Sequence, residues 1–167
     1  MQVVRFGGIF TLEIMPTVHY SFIGDFDCRA DAKNRIVLPA AFKRELEGRQ
    51  EMRMVMRKDI YEDCLVIYPY DVWEDMMAAL RAKLNPYNRR HAQFLRESQR
   101  ATAEAQLDAN GRLLVPQRLL DIIGAQKELT LLGVDDHIEL WDKQKRVETS
   151  ITGEELGALS DEIFGNA

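Results

Sequence analysis

The sequence predicts an α+β fold: two similar units, each a β-hairpin, a helix and a second β-hairpin, with a helical hairpin between them. Three observations carry this. The segment Asp31-Ala-Lys-Asn-Arg35-Ile-Val-Leu-Pro39 returns 77 residues later as Asp108-Ala-Asn-Gly-Arg112-Leu-Leu-Val-Pro116. The residues ahead of each copy alternate between apolar and polar, and those between the copies place apolar side chains at helical spacing. A self-similar stretch of this kind means one structural unit used twice.

Each unit opens with a strand. Phe26, Cys28 and Ala30 alternate with charged residues, as Ala103, Ala105 and Leu107 alternate with polar ones, which is the period of a half-buried strand. The next four residues read as a turn, because Asp31 or Asp108 can accept from the backbone two residues on and Asn34 or Gly111 tolerates the left-handed conformation. Arg35 to Leu38 and Arg112 to Val115 are short apolar strands, closed by Pro39 and Pro116, which suit the first turn of a helix. That helix carries Phe42 and Leu46 in one copy and Leu119 and Ile123 in the other, with Gly48 or Gly124 as its stop. Two strands complete each unit: Met52 to Met56 and Cys64 to Tyr68, then Glu128 to Leu132 and His137 to Trp141. Tyr68 aligns with Trp141 at an offset of 73, so the first copy has four more residues, expected in its intervening turn.

Between the copies, Asp71 and Glu74 resemble a capping pair, and Trp73, Met77, Leu80 and Leu84 recur at helical spacing up to the Asn85-Pro86 break. A second helix is marked by Tyr87, His91, Phe94, Leu95 and Ser98. Near the end, Thr152 and Glu155 form a capping-box pattern ahead of an acidic final helix. One unit alone has too few strands to close a sheet, so duplication supplies the partner that a homodimer would otherwise provide.

Composition narrows the classes of function. With 167 residues, 46% hydrophobic and 29% charged, the chain is a globular domain rather than a disordered or collagen-like one. Cys28 and Cys64 make neither a disulfide framework nor a zinc pattern, so a reducing compartment is expected. The uncharged run Phe6 to Leu12 near the start is too short to span a bilayer. Net charge is −5, which argues against nucleic acid until its distribution is considered. Residues 148–167 hold Glu148, Glu154, Glu155, Asp161 and Glu162 without a Lys or Arg, leaving a body of 22 acidic and 22 basic residues. Within that body Arg29, Lys33, Arg35, Lys43 and Arg44 crowd one stretch, and Arg89, Arg90, Arg96 and Arg100 another, read as the solvated face of a helix.

An Asp-x-x-x-Arg turn presented twice has a physical use. Asp fixes the turn, and Arg at its exit offers a planar fork of donors that matches a phosphate or the O6 and N7 edge of guanine. Pairing of Arg35 with Asp31, and of Arg112 with Asp108, as a simple brace of the hairpin is the competing account. Asp135, Asp136, His137 and Glu139 form the one ligand-like cluster; lacking further ligands at metal spacing, it reads as a turn, and a hydrolase built on it is a distant alternative. No nucleophile elbow or phosphate-binding glycine loop occurs, so no catalytic residue, metal, cofactor or small-molecule substrate is expected.

The two nonapeptides, the Ile138-Glu-Leu-Trp141 strand, and the Cys64-Leu-Val-Ile-Tyr-Pro69 strand with its following helical hairpin closely resemble the MraZ transcriptional regulators, from about Tyr20 to Arg146. The resemblance implies two AbrB-like swapped-hairpin units. It also implies a cytoplasmic, nucleoid-associated bacterial protein that assembles as a ring homo-oligomer on double-stranded promoter DNA. Its target would be the division and cell-wall gene cluster, which it would typically repress. On this basis Lys33, Asn34, Arg35 and Arg112 face DNA, while Asp31, Asp108 and Gly111 shape the turns. A ring-forming protein that uses the same loops as an interface, without DNA, is the alternative. Asn34 stands where the family usually has glycine, a swap the left-handed position tolerates. The expected organisation is an extension over residues 1–19, a first unit over 20–70, the helical hairpin over 71–101, a second unit over 102–147 and an acidic tail over 148–167. Met15 gives a beginning nearer the family norm, with residues 1–14 an extension or a mis-assigned start.

Overall fold

In a computed structural model that describes residues 19–165, the repeated nonapeptide builds the same local structure twice. The first unit comprises β1 (Asp25–Arg29), β2 (Arg35–Val37), α1 (Ala40–Glu47), β3 (Arg53–Lys58) and β4 (Cys64–Pro69). Helices α2 (Tyr70–Lys83) and α3 (Arg89–Arg100) lead to β5 (Thr102–Gln106), β6 (Arg112–Leu114), α4 (Gln117–Ile123), β7 (Glu128–Val134) and β8 (His137–Asp142). The chain ends in α5 (Lys143–Glu148) and α6 (Gly153–Phe164). The expected leader, His19 apart, and the Met15 start lie outside the described residues.

Six strands form one antiparallel sheet in the order β1-β7-β8-β4-β3-β5, and β2 and β6 form a separate two-stranded ribbon. The first hairpin of each unit is therefore exchanged, as the swapped-hairpin resemblance implies, while β3–β4 and β7–β8 remain local hairpins. β1 and β2 leave their turn to pair with β7 and β6 of the other unit, and β5 pairs with β3. Backbone bonds repeat the exchange in both directions: Ala30 N–H donates to Lys127 O and Leu107 N–H to Met52 O, Leu38 N–H to Gly111 O and Val115 N–H to Asn34 O. The physical reason is that each unit alone would leave strand edges with unpaired backbone groups, which the other unit satisfies. The pseudo-twofold runs through the middle of the sheet, where Leu65 faces Leu140, Val66 faces Glu139 and Ile67 faces Ile138.

Register also corrects the placement of the four extra residues. Cys28 pairs with Leu129 as Ala105 pairs with Met54, so the offset of 77 at the turns has become 75 by β3 and β7. Met56 faces Ile67 as Leu131 faces Leu140, which lowers it to 73. Two of the residues thus lie between α1 and β3, and two in the β3–β4 turn.

One sheet face and the inner side of the ribbon enclose the core. Met54, Met56, Leu65, Ile67, Leu129, Leu131, Ile138 and Leu140 meet Ile36, Leu38, Leu113 and Val115, with Phe42 and Leu46 of α1 and Leu119, Leu120 and Ile123 of α4. Phe42 has Phe22 and Phe26 edge-on at 5.5 and 5.2 Å between ring centres. β4 is buried on both faces, because α2 and α5 lie against the other side of the sheet.

Several local expectations change. Gly124 ends α4 in the left-handed conformation as expected, but Gly48 is right-handed and Gln50 takes the positive φ of 57° beyond α1. The Asp71 and Glu74 capping pair does not form: Pro69 occupies the N-cap position, and Asp71 instead accepts from the Tyr20 hydroxyl at 3.0 Å. Helix α5 was not anticipated; Asp142 caps it by accepting from the N–H groups of Gln144 and Lys145. The Thr152–Glu155 capping box is present at the start of α6. Neither α2, α3 nor α6 has a buried residue among those described.

Candidate nucleic-acid interface

The two Asp-x-x-x-Arg turns are near copies. Asp31 Oδ1 accepts from the backbone N–H groups of Lys33 and Arg35, both at 2.9 Å, and Oδ2 accepts from Arg35 Nε at 2.8 Å. Asp108 does the same with Asn110 and Arg112 N–H at 2.9 Å and Arg112 Nε at 2.8 Å. The fourth position is left-handed in each, with φ of 59° at Asn34 and 72° at Gly111. These bonds, led by the backbone N–H of Arg35 or Arg112, hold both carboxyls below the ordinary aspartate range. A depressed folded-state value means that the contribution to stability is present above the unfolded aspartate value, about 3.9, and is lost as pH falls through the folded one. Both turns are therefore locked across the neutral range.

Bracing and outward presentation turn out to be compatible. Each pair uses Nε alone, and the terminal amino groups of Arg35 and Arg112 have no hydrogen-bond partner among the described residues. Four of the five guanidinium donors remain for a ligand. The ribbon sets their direction. Arg35 lies opposite Leu114, Ile36 opposite Leu113, and Val37 opposite Arg112. Alternation buries Ile36 and Leu113 and turns the other four residues outward. Two arginines 77 positions apart in the chain therefore share one face of the ribbon as diagonal neighbours, whose Cα atoms are about 7–8 Å apart in antiparallel pairs.

The surroundings of the two tips differ. At the first, the Asn34 amide is engaged by the second unit, its Nδ2 donating to Gln117 Oε1 at 2.8 Å and its Oδ1 accepting from Lys127 Nζ at 2.6 Å. Asn34 thus shapes the turn and ties the units together, while Lys33 is exposed. At the second tip the Lys43 side chain lies over Gly111, where a Cβ would come within 2.6 Å of it. Gln117, Lys127, Val37 and Leu114 were not singled out from sequence; the i, i+2 spacing of Val37 and Leu114 from the two arginines was the available signal. Gly111→Val is expected to cost about 1–2 kcal/mol, since a branched side chain resists the left-handed conformation. Gly111→Asn should be nearly neutral in thermal unfolding, because asparagine already serves at the matching position and Lys43 can swing aside.

The remaining candidates resolve into local bonds. Asp136 Oδ1 meets His137 Nδ1 at 2.8 Å, and Glu139 Oε2 accepts from Trp141 Nε1 at 2.8 Å. Among the described residues, no three or more His, Cys, Asp or Glu are grouped to hold a metal ion, and no helix is long and apolar enough to cross a membrane. Burial pushes the Cys28 thiol up to about 11 and raises that of Cys64 as well, so neither is poised as a nucleophile.

Comparison with known proteins supplies an independent line. A family model described as "MraZ protein, putative antitoxin-like" matches residues 21–96 and 99–146. The chain is 40% identical over 144 residues to "Transcriptional regulator MraZ" of Phocaeicola vulgatus, covering 86% of this chain and 94% of that protein. It is 37% identical over 145 residues to the protein of the same name from Bacteroides thetaiotaomicron, covering 87% and 93% of the two chains. A third of that name, from Clostridium acetobutylicum, is 32% identical over 142 residues, covering 85% and 96%.

Proposed function

The chain belongs to the MraZ family, and from that premise we propose that it is a transcriptional regulator, not an enzyme, that binds double-stranded promoter DNA through the outward face of the β2–β6 ribbon. The observation that carries this reading is the pair of guanidinium groups on that face, each held by Nε, with terminal amino groups that have no partner among the described residues. A two-stranded ribbon is narrow enough to enter the major groove, where arginine can meet guanine O6 and N7 or the flanking phosphates. Arg35 and Arg112 are the reading groups and Lys33 a phosphate contact. Asp31, Asp108, Asn34 and Gly111 hold the turns.

One ribbon makes few phosphate contacts, so a useful affinity needs several copies of the chain on one duplex. A ring homo-oligomer meeting boxes spaced by about one helical turn, roughly 10 base pairs, returns the same face of the DNA to each copy. In this reading the protein acts in the cytoplasm at the nucleoid and represses the division and cell-wall gene cluster. The acidic residues beyond Val147 account for the net negative charge without lying in the ribbon.

Footprinting on the DNA upstream of the protein's own gene tests the reading, together with gel shifts at increasing salt. Evenly spaced protected boxes are expected, with log K falling against log salt by about 0.9 for each phosphate contacted. An unprotected upstream region, or binding indifferent to salt, would overturn it.

A further inference from the structure

The outward face of the ribbon carries more than its two arginines. Val37 and Leu114 stand there too, 54% and 55% exposed, each directly opposite an arginine. The four side chains form a checkerboard, guanidinium and aliphatic alternating along both strands and across them. Electrostatic attachment to phosphate does not require aliphatic groups in these places, and threonine or lysine would serve a solvated strand as well. A seam between copies of the chain accounts for the pair poorly, because covering it would also cover the two neighbouring guanidiniums, whose terminal groups have no partner among the described residues.

One partner fits the whole pattern. The major-groove edge of DNA presents a single apolar group, the 5-methyl of thymine, beside the acceptors that arginine reads. Side chains directly opposite each other in an antiparallel pair stand about 4.5–5.5 Å apart at Cβ, within reach of the same or neighbouring base pairs. We propose that Val37 and Leu114 are specificity-determining residues that pack on thymine methyl groups next to the positions met by Arg112 and Arg35. This rests on the DNA-binding reading above and adds to it that thymine is read directly, by contact with its methyl.

Replacing thymine by deoxyuridine removes that methyl and leaves base pairing intact, so the test needs no change to the protein. The full chain is titrated at fixed salt against two duplexes of the region upstream of its own gene, one containing thymine and one deoxyuridine throughout. Binding to the deoxyuridine duplex should be weaker by about fourfold for each methyl buried. A Val37→Ala, Leu114→Ala double variant should bind the thymine duplex less tightly and no longer distinguish the two. Both positions are exposed, so its melting temperature should stay close to that of the unaltered chain. Equal affinity of the unaltered chain for both duplexes overturns the proposal. So does a difference that persists undiminished in the double variant, because the methyl would then act through duplex shape. A chain that binds neither duplex would overturn the DNA-binding reading itself, an outcome distinct from binding both equally.

Discussion

Arg35→Ala is expected to weaken binding to the upstream DNA by about tenfold to a hundredfold, the range for losing one well-made guanidinium contact to a base edge. The loss should exceed that of a single site wherever several copies engage one duplex, because each weakened contact also lowers the shared avidity. The turn itself should persist. Asp31 Oδ1 still accepts from the backbone N–H groups of Lys33 and residue 35, and Ile36 still fills its place in the core. Melting temperature and oligomeric state should therefore stay close to those of the unaltered chain. Arg112→Ala makes the same prediction from the same local geometry, and the two variants measured separately establish whether both tips engage DNA. Unchanged promoter occupancy after both substitutions would remove the ribbon from the binding surface. Unfolding of either variant would make the Nε–carboxylate brace the main role of its arginine.

The largest effect on stability is expected at Phe42. Its side chain is fully buried, lies edge-on to Phe22 and Phe26, and joins the N-terminal segment, β1 and α1 in one cluster. Phe42→Ala should destabilise the fold by about 3–5 kcal/mol through lost burial and the cavity left behind. For a chain of this size that lowers the melting temperature by roughly 6–20 °C. Leu119, its counterpart in the second unit, is equally buried but is not part of that aromatic cluster, so Leu119→Ala should cost somewhat less, about 2–5 kcal/mol. Urea or thermal unfolding of the two variants measures the difference. A loss below about 1 kcal/mol at Phe42 would show that the cluster closes around the space, against the behaviour of well-packed cores.

Much of the site is legible in the sequence. The Asp-x-x-x-Arg spacing specified a four-residue turn with Arg at its exit, and the exchange of Asn34 for Gly111 at one position pointed to a left-handed residue, which both are. The apolar positions of α1 and α4 were legible for the same reason, since Phe42, Leu46, Leu119 and Ile123 recur at the helical period and all are buried. Asp71 was misread because a capping pattern states only what a side chain could accept. The Tyr20 hydroxyl, 51 residues away, supplied a different donor. Asn34 as a link between the units was equally invisible, because Gln117 and Lys127 reach it from 83 and 93 residues along the chain.

By itself the sequence determined the two turns, the helix periodicity and the fact of duplication, all of which depend on interactions within a few residues or on direct self-similarity. Only the tertiary structure decided which strands pair and that Arg35, Val37, Arg112 and Leu114 share one face. A strand of three residues such as β2 carries no record of its partner. Its pairing follows from which neighbour can bury Ile36 against Leu113 and satisfy the backbone of both units at once.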